Sequence, residues 1–349
     1  MTTIVKTDPE NPSIQSIETA AKTIREGGLV VFPTETVYGL GANAYSSDAC
    51  LKVFRAKERP PDNPLIVHIS DMEMLKEVTL EVSDEILKKL EKVWPGPVTI
   101  LLQKSPKIPG TVTGGSSLVA VRMPEGKVAL EVIRKAGVPI AAPSANISTR
   151  PSITDSRHAI EELDGRVDLI MDCGPTPQGV ESTIIDISGG GCTLLRAGAK
   201  PVEELEKIFG PIKVTDFSRG LHESTIPLAP GMKYRHYSPT KKLYLASNVE
   251  LLQKISELGE WREKISIISS DEICRNSKLQ CTGLGDGSDL DVIARNLFSA
   301  LRELDKMDCT IGLIQPFPEH GKGLAIMNRI RKASSGLIED LDSINMLLQ

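Results

Sequence analysis

A run of basic residues lies where a predicted helix leads into a predicted buried strand. The stretch FRAKERPPDNPLIVHIS covers residues 54–70, and Lys52, Arg55, Lys57 and Arg59 place four positive charges within eight residues. Cations at a helix end are often simply solvated. Several Lys and Arg donors beside an apolar strand also suit a triphosphate, because Arg offers a planar pair of donors to phosphate oxygens.

Small polar side chains directly follow another predicted strand, in VPIAAPSANISTRPSIT, residues 138–154. Ser144 and Asn146 come after the strand end, which is the edge where open α/β sheets bind ligands. The small residues around them allow close approach of a ligand to the backbone. A turn rich in Ser and Asn is the competing interpretation.

Four more polar residues lie within or at the ends of apolar strands. Arg122 ends the strand of GGSSLVAVRMP, and a charge there is costly unless it is paired or reaches solvent. Arg122 is therefore either a salt-bridged edge residue or an anchor for a carboxylate. His68 lies within LIVHIS, where a satisfied core histidine is the commoner alternative. Ser182 opens the strand of GVESTIIDIS, and Arg196 closes the strand of LLRAG.

Familiar catalytic motifs are missing from the sequence. It has no GxxxxGK[ST] phosphate loop, no GxGxxG at a strand–helix turn, no HExxH, no GxSxG and no clustered Cys/His set. These absences argue against a nucleophilic triad and a Cys/His metal site. Asp286, Asp289 and Asp291 could form a metal-binding loop, but acidic residues at the start of a helix are the commoner interpretation.

Composition is that of an ordinary globular protein: 349 residues, 40% hydrophobic, 25% charged, with a net charge of −5. The negative charge argues against a protein-wide nucleic-acid surface and leaves a local basic patch open. The six cysteines are scattered without a CxxC pair, which predicts buried free thiols in a reducing compartment. With no secretory signal and no apolar run near the ~18 residues of a membrane span, we expect a soluble, cytoplasmic protein without membrane contact.

The elements that must position these residues form two groups. Short, continuously apolar strands such as LVVFP, PLIVHIS, PVTILLQ and SLVAVRMP are spaced tightly among helices, which predicts a mixed parallel and antiparallel sheet covered on both faces. TETVYGLGANA is expected to be a glycine-punctuated loop. Later strands and helices alternate regularly, as in a small parallel α/β domain. The predicted division is a first domain over 1–215, a linker over 216–240 and a C-terminal domain over 241–349.

The linker carries more chemistry than linkers usually do. PLAPGMKYRHYSP, residues 227–239, contains two of the five tyrosines and one of the five histidines, with basic residues between them. Its prolines predict an irregular path. Packing into a groove between the domains is one interpretation of this cluster.

Taken together, these segments resemble the YrdC-like threonylcarbamoyl-AMP synthases. The resemblance rests on VVFPTETVYGLGANA, the K-x-R pair, RPPDNPLIVHI, VWPGPVTILL, VAVRMP, APSANIS and GVESTIIDI, in this order, over about residues 15–240. PGMKYRHYSP and GLAIMNRIRKAS resemble the long, two-domain form. The resemblance implies a YrdC-type twisted mixed α/β sheet with a concave basic face, followed by a smaller Rossmann-like domain.

The resemblance also implies a reaction. L-Threonine, bicarbonate or CO2, and ATP with its Mg²⁺ would give L-threonylcarbamoyl-adenylate and pyrophosphate, a nucleotidyl transfer. The product would pass to a separate complex that modifies tRNA beside the anticodon. The attacking group is the threonine carbamate itself, so positioning and charge neutralisation suffice. Because a carbamate is labile in water, we expect the site to be shielded.

By motif match, the expected residues fall into three groups. The catalytic, phosphate-facing group is Lys57, Arg59, Ser144 and Asn146. Threonine would contact Thr36, His68, Arg122, Ala142 and Ser182. ATP would contact Arg59, Asn63, Leu118 through its backbone, Ser144, Ser152, Arg196, Arg235, His236 and Tyr237. The last three assume that the linker folds back over the nucleotide as a lid, which is a hypothesis.

Two alternatives stay open. One is a module that binds tRNA or double-stranded RNA through the basic concave face, and weak RNA binding could also accompany the enzyme; the sequence has no RNP or KH motif. The other keeps the fold but changes the acceptor, as in the carbamoyl-adenylate-forming domains of hydrogenase maturation. Those proteins carry acylphosphatase and zinc-finger regions that this sequence lacks.

Overall fold

The computed structural model describes residues 1–222 and 236–348, which form two sheets with helices on their faces. Eleven strands build the first sheet: β1 Thr3–Lys6, β2 Val30–Pro33, β3 Tyr38–Asn43, β4 Ile66–His68, β5 Val98–Gln103, β6 Leu118–Arg122, β7 Ile140–Ala141, β8 Leu169–Asp172, β9 Thr183–Asp186, β10 Cys192–Arg196 and β11 Ile212–Val214. Five build the second: β12 Lys242–Ala246, β13 Ile265–Ser269, β14 Gln280–Gly283, β15 Ile311–Ile314 and β16 Gly336–Ile338.

Helices connect and cover these strands. In the first part of the chain they are α1 Ile14–Arg25, α2 Ser47–Ala56, α3 Met72–Val78, α4 Asp84–Leu90, α5 Gly110–Thr113, α6 Lys127–Ala136, α7 Ser156–Leu163, α8 Val202–Phe209 and α9 Asp216–Arg219. In the second part they are α10 Val249–Leu258, α11 Asp271–Asn276, α12 Leu290–Leu304, α13 Gly323–Ala333 and α14 Leu341–Leu348. No helix among the described residues has the length and apolar character needed to cross a membrane.

The first sheet is mixed, as the sequence predicts. Its order is β1-β8-β2-β3-β7-β4-β6-β5-β9-β10-β11. Strand β6 runs parallel to β4 and antiparallel to β5, so it lies in the interior of the sheet. In this register His68 and Arg122 are direct neighbours at the ends of their strands. Both side chains therefore reach the same edge of the sheet.

The second sheet is parallel throughout, which confirms the prediction for this part of the chain. Its order is β14-β13-β15-β12-β16. The longest helix here, α12, and the later helix α13 contribute buried apolar residues to the same core as the first sheet. The two parts thus share a continuous hydrophobic interior, while the predicted domain boundaries remain a prediction.

The expected loop TETVYGLGANA is wrong over its second half, because Tyr38–Asn43 is strand β3. Glycine is needed here because β3 pairs closely with β2: a Cβ at Gly41 would lie 2.5 Å from the Phe32 ring. The glycine at this position therefore belongs to a strand against which a large side chain packs, although glycine more often indicates a turn.

The expectation of six buried free thiols is also wrong. Cys274 in α11 and Cys281 in β14 form a disulfide with a Cα–Cα distance of 5.4 Å. The two cysteines are seven residues apart, and the packing of α11 against β14 brings them together, which no sequence spacing rule signals. Cys50 and Cys173 are buried free thiols, whereas Cys192 and Cys309 are half-buried.

Candidate functional site

A partly open cavity lies against the first sheet, beside the ends of β4, β6 and β10 and the residues that follow β7. Its volume is about 50 Å³, room for only a few water molecules. It is lined by Thr34, Val37, Gly39, Lys57, Arg59, Ile66, His68, Arg122, Ala142, Pro143, Ser144, Asn146, Ser148, Glu181, Ser182, Arg196, His236 and Tyr237. Four of these side chains are Lys or Arg and one is a carboxylate, so the cavity suits an anionic ligand.

Lys57 organises one wall of the cavity. It caps helix α2, is 1% exposed, and its Nζ donates to the backbone carbonyls of Ser144, at 2.5 Å, and Asn146. Ser144 Oγ donates to Asn146 Oδ1 at 2.6 Å. Burial, followed by the nearby Arg59 charge, lowers the pKa of Lys57 well below its ordinary value. Lys57 is therefore not a solvated helix end: it holds the loop that follows β7.

Arg59 is fixed by the turn that follows it. Its Nε donates to the carbonyl of Asn63 at 3.3 Å and its Nη2 to that of Pro64 at 3.1 Å. These bonds hold a buried guanidinium against the cavity wall. The charge therefore faces the cavity at a defined place.

The opposite wall carries Arg122 and His68. Arg122 Nη2 lies 2.6 Å from Glu35 Oε1, and both side chains are buried, although the contact lacks the angle of a hydrogen bond. Arg122 is thus salt-bridged, as one of the two interpretations predicted. Its strand, however, is an interior strand of the sheet, and Arg122 lines the cavity. Burial, followed by the Arg122 charge, lowers the pKa of His68 to about 3. His68 is therefore neutral at physiological pH.

A third group surrounds the start of β9. Arg196 donates to the Ser182 carbonyl from Nε at 3.1 Å and from Nη2 at 3.0 Å, and also to Ser182 Oγ at 3.1 Å. Ser152 Oγ donates to Glu181 Oε1 at 2.6 Å. Burial alone would raise the pKa of Glu181, but the charges of Arg329 and Arg196 and the Ser152 hydrogen bond outweigh it, so the pKa falls to about 2. Glu181 is ionised.

His236 and Tyr237 fill the remaining side of the cavity. The Tyr237 ring lies 5.2 Å from that of Phe298 and 5.5 Å from the Arg329 guanidinium, and its hydroxyl bonds to Glu181. Tyr237 has a φ of 66°, rare for an aromatic residue and maintained only where the surroundings enforce it. Burial, followed by the Arg59 charge, lowers the pKa of His236 to about 3.

Eleven of the predicted site residues line this one cavity: Lys57, Arg59, His68, Arg122, Ala142, Ser144, Asn146, Ser182, Arg196, His236 and Tyr237. Arg235 lies outside the described residues. Their assignment to ATP or to threonine remains a prediction.

Four predicted residues are not part of the cavity lining. Ser152 is fully buried and donates to Glu181, and Thr36 is fully buried with its hydroxyl 2.8 Å from that of Thr34. Asn63 is 1% exposed, and its side-chain atoms have no hydrogen-bond partner. The backbone N–H of Leu118 donates to Ser116 Oγ.

Several lining residues were not predicted from the sequence, and of these Thr34 and Glu181 carry polar groups with defined partners. Glu181 directly precedes Ser182 in GVESTIIDIS. Nothing in the local sequence distinguishes this glutamate from other loop carboxylates, because the cations that it faces come from distant parts of the chain.

Metal ligands do not converge in the part of the chain that the structure describes: no three His, Cys, Asp or Glu side chains form a possible metal site. The single carboxylate of the cavity lining, Glu181, is already bonded to Ser152 and Arg329. The donor set around the cavity thus consists mainly of cations and hydroxyls, which bind phosphate oxygens rather than metal ions.

Comparisons with known proteins cover both sheets. The Sua5/YciO/YrdC family model, described as telomere recombination, matches residues 22–198, and the model of the threonylcarbamoyl-AMP synthase C-terminal domain matches residues 201–335. The threonylcarbamoyl-AMP synthase of Pyrococcus abyssi is 44% identical over 91% of this chain and 94% of its own, and that of Bacillus subtilis 40% over 95% and 96%. The crystal structure of P. abyssi Sua5 complexed with L-threonine has 42% identity and a TM-score of 0.90, covering 97% of this chain and 100% of that one.

Proposed function

The chain belongs to the Sua5/YciO/YrdC family in its two-domain, threonylcarbamoyl-AMP synthase form, and from this premise we propose how its cavity performs the synthesis. The protein is a threonylcarbamoyl-AMP synthase: it joins L-threonine, bicarbonate or CO2, and ATP into threonylcarbamoyl-AMP, used for tRNA modification. The observation that carries the proposed mechanism is the convergence of four buried basic side chains and one engaged carboxylate on a single cavity. As an enzyme class, we assign it to the nucleotidyltransferases.

Threonine is proposed to bind on the wall formed by β4 and β6. Arg122 would hold its carboxylate through a charge-assisted contact, and the neutral ring of His68 adds no competing charge. Ala142 leaves room for the substrate beside it, and Ser182 offers a hydroxyl. Thr36 is expected to support this wall from behind, because its side chain is fully buried and does not line the cavity.

The triphosphate is proposed to lie along the opposite wall. Lys57 fixes the carbonyls of Ser144 and Asn146, so the loop after β7 presents its hydroxyl and amide in one arrangement. Arg59 and Arg196 supply charge that neutralises the phosphates as pyrophosphate leaves. The carbamate formed on the threonine nitrogen attacks the α-phosphorus, the P–O bond to the β-phosphate breaks, and pyrophosphate carries the electron pair away.

Mg²⁺ is proposed to arrive with ATP. The cavity offers no set of free carboxylates to hold it, so its ligands would be phosphate oxygens and water. When bound, the ion supplies further neutralisation of triphosphate charge. The residues of this chain then serve to orient the substrates.

The test of this function is pyrophosphate release with each substrate left out in turn. We expect release only when ATP, threonine and bicarbonate are all present, because the nucleophile is assembled from the last two. Release that persists without threonine would overturn the assignment. A strongly salt-dependent affinity for RNA without nucleotide turnover would favour the RNA-binding alternative instead.

We propose that His236 and Tyr237 act as the closing part of a lid. They line a cavity of about 50 Å³, which is too small for a nucleotide, so they would move to admit ATP, and their return would keep water from the carbamate. The Tyr237 ring rests on Phe298 and Arg329, which gives the lid a defined closed position.

Tyr237→Ala is expected to lower coupling between ATP use and product formation, because water reaches the carbamate. The measurement is the ratio of threonylcarbamoyl-AMP formed to ATP consumed. Tyr237→Phe, which keeps the ring packing but loses the hydroxyl, serves as the matched control and should retain most of the coupling. An unchanged ratio in Tyr237→Ala would restore the interpretation as a packed linker.

The remaining partners follow from the product. Because a mixed anhydride is short-lived in water, it is proposed to pass to a separate complex that transfers the threonylcarbamoyl group to tRNA. Weak RNA binding by this chain and its cytoplasmic location stay predictions from the sequence.

A further inference from the structure

Two arginines of the second part of the chain contact the first, Arg329 fully buried and Arg302 partly buried. Arg329 of α13 is 0% exposed, and its Nε and Nη2 donate to Glu181 Oε2 at 3.0 and 2.9 Å. Arg302 of α12 donates from Nη1 to Glu162 Oε2 at 2.7 Å, with 11% and 2% of the two side chains exposed. Each contact crosses more than 100 residues of sequence. Buried pairs of this kind are costly to break.

The two glutamates hold separate loops of the proposed nucleotide wall. Glu162 accepts the backbone N–H of Ile147, next to Asn146, and Arg302 also donates to the carbonyl of Pro151. This pair therefore fixes both ends of the segment that connects Asn146 to Ser152.

The second glutamate connects to the lid and to the start of β9. Glu181 accepts the hydroxyl of Ser152 and directly precedes Ser182, which Arg196 holds. Arg329 in addition donates to the carbonyl of Ala197, just after β10, and lies under the ring of Tyr237. One side chain of the second domain thus contacts the strand end, the carboxylate and the lid residue together.

We propose that Arg302 and Arg329 are positioning residues through which the C-terminal domain clamps the nucleotide side of the synthase site. This inference rests on the proposed function and deepens it, since it assigns the second domain a share in ATP binding. The threonine wall, by contrast, is held by contacts such as Arg122 with Glu35 within the first domain.

The expected result for Arg329→Met or Arg302→Met is an increase of about tenfold or more in the KM for ATP. For Arg302→Met the KM for threonine should stay within about twofold of wild type, because the Arg302–Glu162 pair holds only the segment between Asn146 and Ser152. Arg329→Met also acts on Ser182 through Glu181, so its KM for threonine does not separate the two walls. Arg331→Met in the same helix is the matched control: Arg331 pairs with the partly exposed Glu319, away from the cavity, and should leave both constants unchanged. Arg329→Lys, which keeps a charge beside Glu181, should recover part of the loss.

The pH dependence of kcat/KM for ATP gives a second measurement, because a general loss of stability would not shift its acid limb specifically. The charged and titratable groups around Glu181 are Arg329, Arg196, Tyr237 and His236. With its pKa at about 2, Glu181 stays ionised in wild type at the pH of any ordinary assay. Without Arg329, burial raises its pKa, so the acid limb of kcat/KM for ATP should move to higher pH in Arg329→Met, and not in Arg331→Met.

If a single variant fails to fold, a double variant that removes the charges of both the arginine and its glutamate partner is used instead. Both charges of a pair are removed in Glu181→Gln/Arg329→Met and in Glu162→Gln/Arg302→Met, and the same rise in the KM for ATP is expected. The second double variant is the cleaner test, because the first takes the neighbouring carboxylate from buried Arg196. Equal increases for ATP and threonine in the Arg302 variants, or no increase in the KM for ATP in the variants of either pair, would overturn the proposal.

Nucleotide binding separates this inference from the proposed function. The dissociation constant of a non-hydrolysable ATP analogue is measured by calorimetry for wild type and variants. Wild type that binds the analogue but releases no pyrophosphate with threonine and bicarbonate would contradict the proposed function alone. Wild-type affinity in both arginine variants would contradict the clamp alone.

Discussion

Arg122→Ala is expected to lower kcat/KM for threonine by about 100- to 1,000-fold, the loss typical of removing one preorganised contact to a reacting ligand. Arg122 is the cation at the interior strand end of the cavity, and the proposed mechanism assigns it the threonine carboxylate. Binding of an ATP analogue should change much less, because Lys57, Arg59 and Arg196 remain. The measurement is pyrophosphate release at varied threonine, with analogue binding measured alongside.

Folding has to be separated from catalysis in this variant. Arg122→Ala leaves Glu35 buried without its 2.6 Å partner, so Glu35→Gln/Arg122→Met is the companion variant that strands no charge. It should show the same loss of threonine dependence with a more stable fold. Arg134→Ala, which breaks an exposed pair with Glu131 on α6, is the control and should be fully active. Threonine saturation unchanged in the double variant would contradict the role of Arg122.

Lys57→Met is expected to lower both activity and the free energy of unfolding. The carbonyls of Ser144 and Asn146 would lose the Lys57 amino group, and leaving buried polar groups without partners costs about 1–3 kcal/mol each. The loop after β7 would then be free to shift, which we expect to reduce kcat about 100-fold. Denaturant unfolding and pyrophosphate release measure the two effects.

Lys52→Met provides the matched control on the same helix. Lys52 Nζ donates to the carbonyl of Gly27 at an exposed position, so its loss should change stability by no more than about 0.5 kcal/mol. A Lys57→Met variant with wild-type stability but little activity would mean that Lys57 contacts the phosphates directly and does not organise the loop.

Sequence patterns predicted the side chains of this site better than their partners. Residues at strand ends, such as Arg122 and Arg196, could be recognised because a charge beside an apolar run needs an explanation. Glu35 and Glu181, which neutralise them, were missed because they lie in loops where carboxylates are common. Only the fold brings these loops to the strand ends, and no local pattern reports that approach.

The same distinction holds for the fold. The mixed character of the first sheet and the parallel second sheet followed from strand spacing and from the regularity of strand–helix alternation. Strand β3 was missed because Gly39 and Gly41 carry a turn signal, whereas Gly41 is needed to admit the Phe32 ring and the close packing of Ile140 on β7. The disulfide between Cys274 and Cys281 was missed for a related reason, since it depends on how a helix packs on a strand.

The pairs of Arg302 with Glu162 and of Arg329 with Glu181 have a consequence for the evolution of this architecture. Loss of the second domain would take Arg302 and Arg329 away, leaving Glu162 with the 4.0 Å contact of Arg150 and Glu181 with the charge of Arg196. A one-domain descendant would therefore be under selection to strengthen these contacts within the first domain or to replace the glutamates. Positions 162 and 181 should therefore change together with the presence or absence of the C-terminal domain, as a signature of domain loss in genomes.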